Sequence, residues 1–394
     1  MEVKYGVNGV EFPPVEANRL AAQAYERAGL DFIVYWDQTC LSIPRSIWTP
    51  DLVPAANLYN IDDWLEPWPL MTDAALATER IRIGLSAADV VRRPPSLLAQ
   101  LGLTLDHYAK GRFFLALGAG EIKECAPYGI ARERPFARLE ETLKIVRMFW
   151  ENREPISYDG PIWKLANAVI GADTYTRGGP ELLVAGGPGK AQRFAATLAD
   201  GWVSYAPPTG SPETYAEEVN SFGEYARQVG RDPADMTRLM LFAVVLGDDE
   251  DQVEQLTHNA ALRWDSAALV PGPSAWQRFG RVNPLGENYS YPRDLIPMDW
   301  SREDALRIVE QVPPEMVRNM KFCGTPEQVA RQVQPYVEAG CNHVMLGDYG
   351  SLVNSGDMGQ AVEGTRRLTE TFDHLRRMNG QRPLALAAAG EAAR

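Results

Sequence analysis

Asp37 and Glu121 are the first residues from which chemistry is expected, because each carboxylate closes a short apolar run: Phe32-Ile33-Val34-Tyr35-Trp36 before Asp37, and Phe113 to Gly120 before Glu121. Runs of this length, bounded by turn residues, read as strands buried on both faces, which belong in a parallel sheet. Glycines at the carboxyl end of such a strand let a ligand approach the backbone, and Glu121 would point toward it. Taken alone, Gly118-Ala119-Gly120-Glu121 fits an ordinary strand-to-helix loop with a solvated glutamate equally well. The pattern recurs, however, at Ser86-Ala87, Gly186-Gly187, Tyr205 and Asp348. Gly186-Gly187-Pro188-Gly189-Lys190 runs into a helix whose free N–H groups and dipole suit an anion, although a glycine cluster also makes a tight turn.

Other chemistries find little support. The four histidines, His107, His258, His343 and His374, lie far apart and form no ligand spacing, so no metal is expected. Cys40, Cys125, Cys323 and Cys341 show no CxxC pairing and read as free thiols. A nucleophile elbow is missing. Gly118-Ala119-Gly120 lacks the third glycine of a dinucleotide fingerprint. The hard step is therefore left to an organic cofactor held by the fold.

The elements that must position these residues alternate along the chain. Strands are expected at Lys4 to Asn8, Phe32 to Asp37, Ile81 to Ala87, Phe113 to Gly118, Glu181 to Gly187, Gly201 to Tyr205, Thr237 to Leu246 and Cys341 to Asp348. Helical patterns intervene, from Val15, Leu70, Pro94, Phe136, Lys190 and Pro212, and a last one runs from Gln360 to Arg377. Eight such units predict a (β/α)8 TIM barrel with its site at the strands' carboxyl ends. Residues 249–340 are too long for a plain connection and predict a helical insertion between strands 7 and 8, with helices at Asp249 to Trp264, Ser301 to Val312 and Pro326 to Ala339. Residues 1–380 are thus expected to form one domain, with 381–394 as a mobile tail. The tryptophan-bearing segment around Trp48, Trp64 and Trp68 suggests a lid or pocket wall, though such residues also pack loops onto a barrel.

A formal net charge of −13 over 394 residues argues against nucleic acid as a partner. Met1 to Val10 alternates like a strand rather than a signal peptide, and no run is long enough to span a bilayer, so a cytoplasmic protein is expected.

Asp37, Ser86-Ala87, the Arg112-to-Glu121 stretch and Ala185-Gly186-Gly187 together resemble the luciferase-like flavin/deazaflavin oxidoreductases. Within them the chain is most similar to the coenzyme F420-dependent branch, in particular the phthiodiolone ketoreductases, through Pro44-Arg45-Ser46-Ile47, Glu66-Pro67-Trp68, Arg92-Arg93, Pro127-Tyr128-Gly129, Gly324-Thr325-Pro326 and Ser351-Leu352-Val353-Asn354. The resemblance implies a deazaflavin across the barrel mouth and a non-prolyl cis peptide near Ser86-Ala87. It implies that Asp37, Ser86, Ala87, Gly120 and Glu121 contact the cofactor, with Gly186, Gly187 and Lys190 on its phosphate side. It also implies a catalytic group of Asp37, Gln38 and Glu121. The family's F420 enzymes commonly carry a proton-donating histidine where this chain has Gln38, and a tryptophan where it has Ser42. Glutamine can hydrogen-bond a carbonyl but cannot protonate it, so Glu121 becomes the acid, unless the substrate is an activated alkene that takes its proton from solvent.

F420 is anionic, and Arg45, Arg92, Arg93, Lys190 and Arg193 are the expected basic patch. The expected reaction is hydride transfer from reduced F420 to a carbonyl or activated alkene of a largely apolar small molecule. Trp264, Trp276, Phe279, Tyr289 and Tyr291 would line the substrate pocket. A homodimer is expected, because related barrels are often dimers. Two readings compete: an FMNH2-dependent monooxygenase with FMN as cofactor, and a non-catalytic flavin-binding protein.

Overall fold

The computed structural model describes residues 2–206, 210–270 and 274–384. The short apolar runs form eight parallel strands: β1 (Lys4–Asn8), β2 (Phe32–Tyr35), β3 (Arg82–Asp89), β4 (Phe113–Gly118), β5 (Glu181–Ala185), β6 (Gly201–Ala206), β7 (Thr237–Leu246) and β8 (His343–Asp348). Each pairs with the next in chain order, and β8 pairs with both β7 and β1, which closes the barrel. Inside it, Phe32, Val34, Phe114, Ala116, Leu183, Val203, Leu239 and Met345 form a packed core rather than a pore. A side chain at Gly84 would collide with the Phe114 ring, so the glycine makes room for it. The opposite faces of the strands pack against the outer helices in a second, larger core.

Several elements escaped the sequence reading. A hairpin, Ile156–Asp159 with Lys164–Ala168, precedes β5. The upper end of β7 pairs with a three-residue strand, Phe322–Gly324. The helix expected from Asp249 to Trp264 is two helices, Glu250–Thr257 and Ala260–Ala268. Asn259 breaks it, because its side-chain oxygen accepts from Ala261 N–H (2.9 Å) and caps the second. A short helix, Tyr349–Asn354, follows β8 directly.

Between β7 and β8 the chain is largely helical, and this segment shares a core with the long loop after β2. Ile43, Ile47, Trp48, Val53 and Ile61 pack with Trp264, Trp276, Leu295, Val309 and Val317. The two excursions thus form one wall of the barrel mouth. The mobile tail needs correction at its start: Gln381 donates to the Val3 carbonyl (2.9 Å), and Leu384 is buried with its N–H on Asp373. The remainder of that expected tail, 385–394, lies outside the described residues. No described helix is long and apolar enough to cross a membrane.

Candidate active site

The two carboxylates named first have opposite surroundings. Asp37 follows β2, and its carboxylate has no exposed surface. It accepts hydrogen bonds from Arg92, from Arg93 Nε (2.8 Å) and Nη2 (2.7 Å), and from Asp89 N–H (3.1 Å). Burial alone would raise its pKa, but the Arg93 hydrogen bonds and the charges of Arg92 and Arg93 outweigh it and hold the carboxyl below the usual range. In this arrangement the carboxylate of Asp37, expected to contact the cofactor ring, is committed to two arginines and the Asp89 N–H. Glu121 sits just past β4 with 30% of its side chain exposed. Desolvation by the surrounding protein, reinforced by Glu124 and Asp89, outweighs the nearby Lys123 and raises its pKa.

Between these two loops stands a residue that sequence reasoning passed over. Lys123 lies in the single turn Ile122–Glu124 and is 4% exposed. Its ammonium donates to the Cys40 carbonyl (2.9 Å), to Glu124 Oε1 (2.5 Å) and to Gln38 Oε1 (3.3 Å), and Glu121 Oε2 lies 3.4 Å away. Burial opposes the charge, yet Glu121 and Glu124 keep the ammonium protonated beyond the ordinary lysine range. Glu124, 2% exposed, also accepts from Arg92 Nη1 (3.0 Å), Thr39 N–H (3.0 Å) and Thr39 Oγ1 (2.9 Å). One ladder of alternating charge therefore joins the loops after β2, β3 and β4. The only hint in the sequence was the charged sequence Glu121-Ile122-Lys123-Glu124, which looks like a solvated turn.

Other expected site residues line the same mouth. The register of β3 slips between Leu85 and Ala88, and the peptide between Ser86 and Ala87 is cis, as the resemblance implied. Both residues are half-buried, and Ala87 borders the barrel interior. Gly120 has φ +74°, and a side chain there would collide with the Asp89 carboxylate, so glycine is required. Its carbonyl accepts from Arg132 Nε (2.8 Å), another mouth residue the sequence did not single out.

At β5, Gly186 is anchored by its N–H to the Val203 carbonyl (3.0 Å) and by its carbonyl to Trp202 Nε1 (2.7 Å). Among the described residues nothing fills the space beside Gly187 and Gly189, and the helix Lys190–Leu198 begins there with no side-chain cap. The expected basic patch divides. Arg45 pairs with Asp62, and Arg92 and Arg93 are committed to the carboxylate ladder, whereas Lys190 and Arg193 carry no ion pair among the described residues. Lys190 Nζ lies 5.9 Å from the centroid of the Phe136 ring.

Across the mouth, Lys321 and Asp265 form a buried ion pair (2.5 Å), and Asp265 Oδ1 accepts from Ser42 Oγ (2.7 Å). Trp264 Nε1 donates to the Ser42 carbonyl (2.9 Å). The loop from Asp37 to Ser42 is thus fastened by Arg92 and Arg93 at Asp37, by Lys123 at Gln38 and Cys40, and by the Asp265–Lys321 pair at Ser42. Trp264, Trp276 and Tyr289 are buried in the shared core, correcting their expected place in a pocket wall, and Phe279 is 38% exposed at the surface. Tyr291 stays near Glu121; burial, and then the Glu121 charge, raise its pKa. Trp36 and Trp64 stack at 5.9 Å on the β2 side. Asp348, expected to converge on the mouth, instead caps the short helix after β8 through Oδ1 and Ser351 N–H (3.0 Å). Among the described residues its Oδ2 has no hydrogen-bond partner, and burial pushes its pKa up to about 6.

Comparison with known proteins agrees with this architecture. The luciferase-like monooxygenase family matches residues 4–343. The phthiodiolone/phenolphthiodiolone dimycocerosates ketoreductase of Mycobacterium tuberculosis is 31% identical over 346 residues, covering 87% of this chain and 90% of that protein. The F420-dependent glucose-6-phosphate dehydrogenase of Kineococcus radiotolerans is 26% identical over 353 residues, covering 88% and 90%. Among solved structures, an F420-dependent secondary alcohol dehydrogenase in complex with an F420-acetone adduct superposes with a TM-score of 0.72 at 21% identity, covering 95% of this chain and all of the other. That likeness establishes the barrel fold.

Proposed function

The chain belongs to the luciferase-like monooxygenase family, and on that premise we propose that it is a coenzyme F420-dependent reductase acting on a carbonyl or activated alkene of a largely apolar small molecule. The names of two of the proteins compared above support the cofactor, and the ketoreductase supports the reaction class. The residues fit the group. Among the described residues, the open backbone at Gly187 and Gly189, a helix start without a cap, and Lys190 and Arg193 without an ion pair suit its anionic side. The half-buried Ser86-Ala87 and Gly120 offer a floor for its ring. When bound in reduced form, the deazaflavin supplies a hydride from C5.

The observation that carries the reading is the contrast between the carboxylates. Asp37 has no exposed surface, whereas Glu121 reaches the mouth with a raised pKa, as a general acid must. Glu121 gives the proton to the substrate oxygen, and Gln38, whose Oε1 is held by Lys123, hydrogen-bonds that oxygen through its amide NH2. Asp37 acts through Arg92 and Arg93 rather than by touching ligand. Residues 1–380 work as one unit in which 249–340 walls the substrate side, and the protein assembles as a homodimer, which light scattering tests.

Titration of the purified protein with F420 and, separately, with FMN, followed by fluorescence quenching, tests the cofactor. Tighter F420 binding, together with anaerobic oxidation of F420H2 on adding ketones or enones, is expected. Tighter FMN binding with substrate-dependent oxygen uptake would overturn the reading in favour of a monooxygenase. Cofactor binding without turnover on any substrate would leave a flavin carrier.

A further inference from the structure

We propose that Lys123 is the positioning residue of this site, fixing the Gln38 amide and the Glu121 carboxyl so that both address one substrate oxygen; this rests on the reductase reading above. A lysine ammonium has three donors and no acceptor, so any amide facing it must present its oxygen. With Oε1 of Gln38 held 3.3 Å from Lys123 Nζ, the NH2 group is turned away from the lysine. The same ammonium grips the Cys40 carbonyl at 2.9 Å, which fixes the loop carrying Gln38. Glu121 Oε2, at 3.4 Å, shares that cation with Glu124.

The arrangement divides between two side chains what one histidine would do. Hydride reaches the carbonyl carbon from the reduced cofactor, and the π electrons of the C=O bond move onto oxygen. That oxygen, held by the Gln38 NH2, takes the proton of the Glu121 carboxyl, giving an alcohol and a carboxylate. The carboxylate forms beside the Lys123 ammonium and regains its proton from solvent through its exposed edge. On the lysine's side, the ionisable neighbours of Glu121 are Glu124 in its own turn, Asp89 from β3 and Cys40 from the loop after β2. Tyr289 and Tyr291 approach from the segment before β8, and Tyr349 from just after it. Arg132 also comes close, on the Gly120 carbonyl, but Lys123 is the cation that lowers the Glu121 pKa, so its removal must make Glu121 harder to ionise.

The test compares wild type, Lys123→Met and Lys123→Arg in two ways. The first needs no cofactor: as pH rises, the difference in urea midpoint between the Glu121 and Glu121→Gln proteins stops changing at the pH where Glu121 ionises in the folded protein, and that pH is the readout. Lys123→Met should move that pH up by about one unit, and Lys123→Arg should restore it. The second is F420H2-dependent ketone reduction, where Lys123→Met should lower kcat at least tenfold and move the alkaline limb of its pH profile upward, with F420 affinity within about threefold. Gln38→Leu leaves every charge in place and remains informative even if Lys123→Met fails to fold; it should lower kcat at least tenfold with the urea-derived pH unchanged. Wild-type protein that turns over no carbonyl or alkene with F420H2 defeats the reductase reading. Turnover in which Lys123→Met leaves both pH values unmoved, or Gln38→Leu leaves kcat intact, defeats this proposal instead.

Discussion

Replacing Asp37 by asparagine tests whether this carboxylate is a structural anion or a ligand contact. The substitution keeps the size but removes the charge that two arginines share, along with part of the acceptor capacity used by Arg92, Arg93 and Asp89 N–H. Removing one partner of a buried ion pair costs about 3–5 kcal/mol. Here the cost falls at the low end, because Arg92 keeps Glu124 and Arg93 keeps Glu66 (2.8 Å). A loss of about 3 kcal/mol, at an m-value of about 3 kcal/mol/M, lowers the urea midpoint by ~1 M. The pH dependence has a definite sign. The folded pKa of Asp37 lies below its unfolded value, so its contribution is present above about pH 4 and disappears as pH falls through the folded pKa. The gap between wild type and Asp37→Asn should therefore be constant from pH 5 to 7 and close below pH 4. A midpoint within about 0.2 M of wild type at pH 7, or a gap that persists unchanged at pH 2.5, would refute the structural assignment. A direct contact with the cofactor would show the opposite pattern: weakened F420 binding at unchanged stability.

Two further outcomes follow from the same geometry. Glu121→Gln keeps the shape of the site but removes the transferable proton, so kcat should fall by about 100-fold or more while F420 affinity changes little; equal activity removes Glu121 from the mechanism. Asp348→Asn keeps the helix cap through Oδ1 and relieves a carboxylate whose Oδ2 has no hydrogen-bond partner among the described residues. With a folded pKa of about 6, above the unfolded value, the stability contributed by protonated Asp348 is complete below about pH 4 and is lost as pH rises through 6. The variant should match wild type at pH 4 and exceed it by about 1–2 kcal/mol at pH 8, as read from urea unfolding.

The barrel could be read from the chain because a strand buried on both faces must be a contiguous apolar run, as in Phe113 to Leu117, and each such run here is followed by an amphipathic helix. The hairpin at 156–168 could not, because its residues are largely exposed and carry no apolar signature. Hydrophobic content also fails to say which surface a side chain meets: Trp264 and Trp276 read equally well as pocket wall or core until the loop after β2 is seen packing on them. Charge is harder still. Arg92 and Arg93 stand 55 and 56 residues from Asp37, so nothing local distinguishes a solvated basic pair from arginines committed to one buried carboxylate. Lys123 is the extreme case, since a lysine between two acidic residues looks like a soluble turn. Only the tertiary fold turns it inward, where four oxygens from two loops surround it. A buried lysine is costly unless such partners are supplied, and here the loops that supply them also carry Gln38 and Glu121. The cation that keeps these loops together thereby also fixes which way the Gln38 amide faces, so folding and site geometry depend on the same side chain.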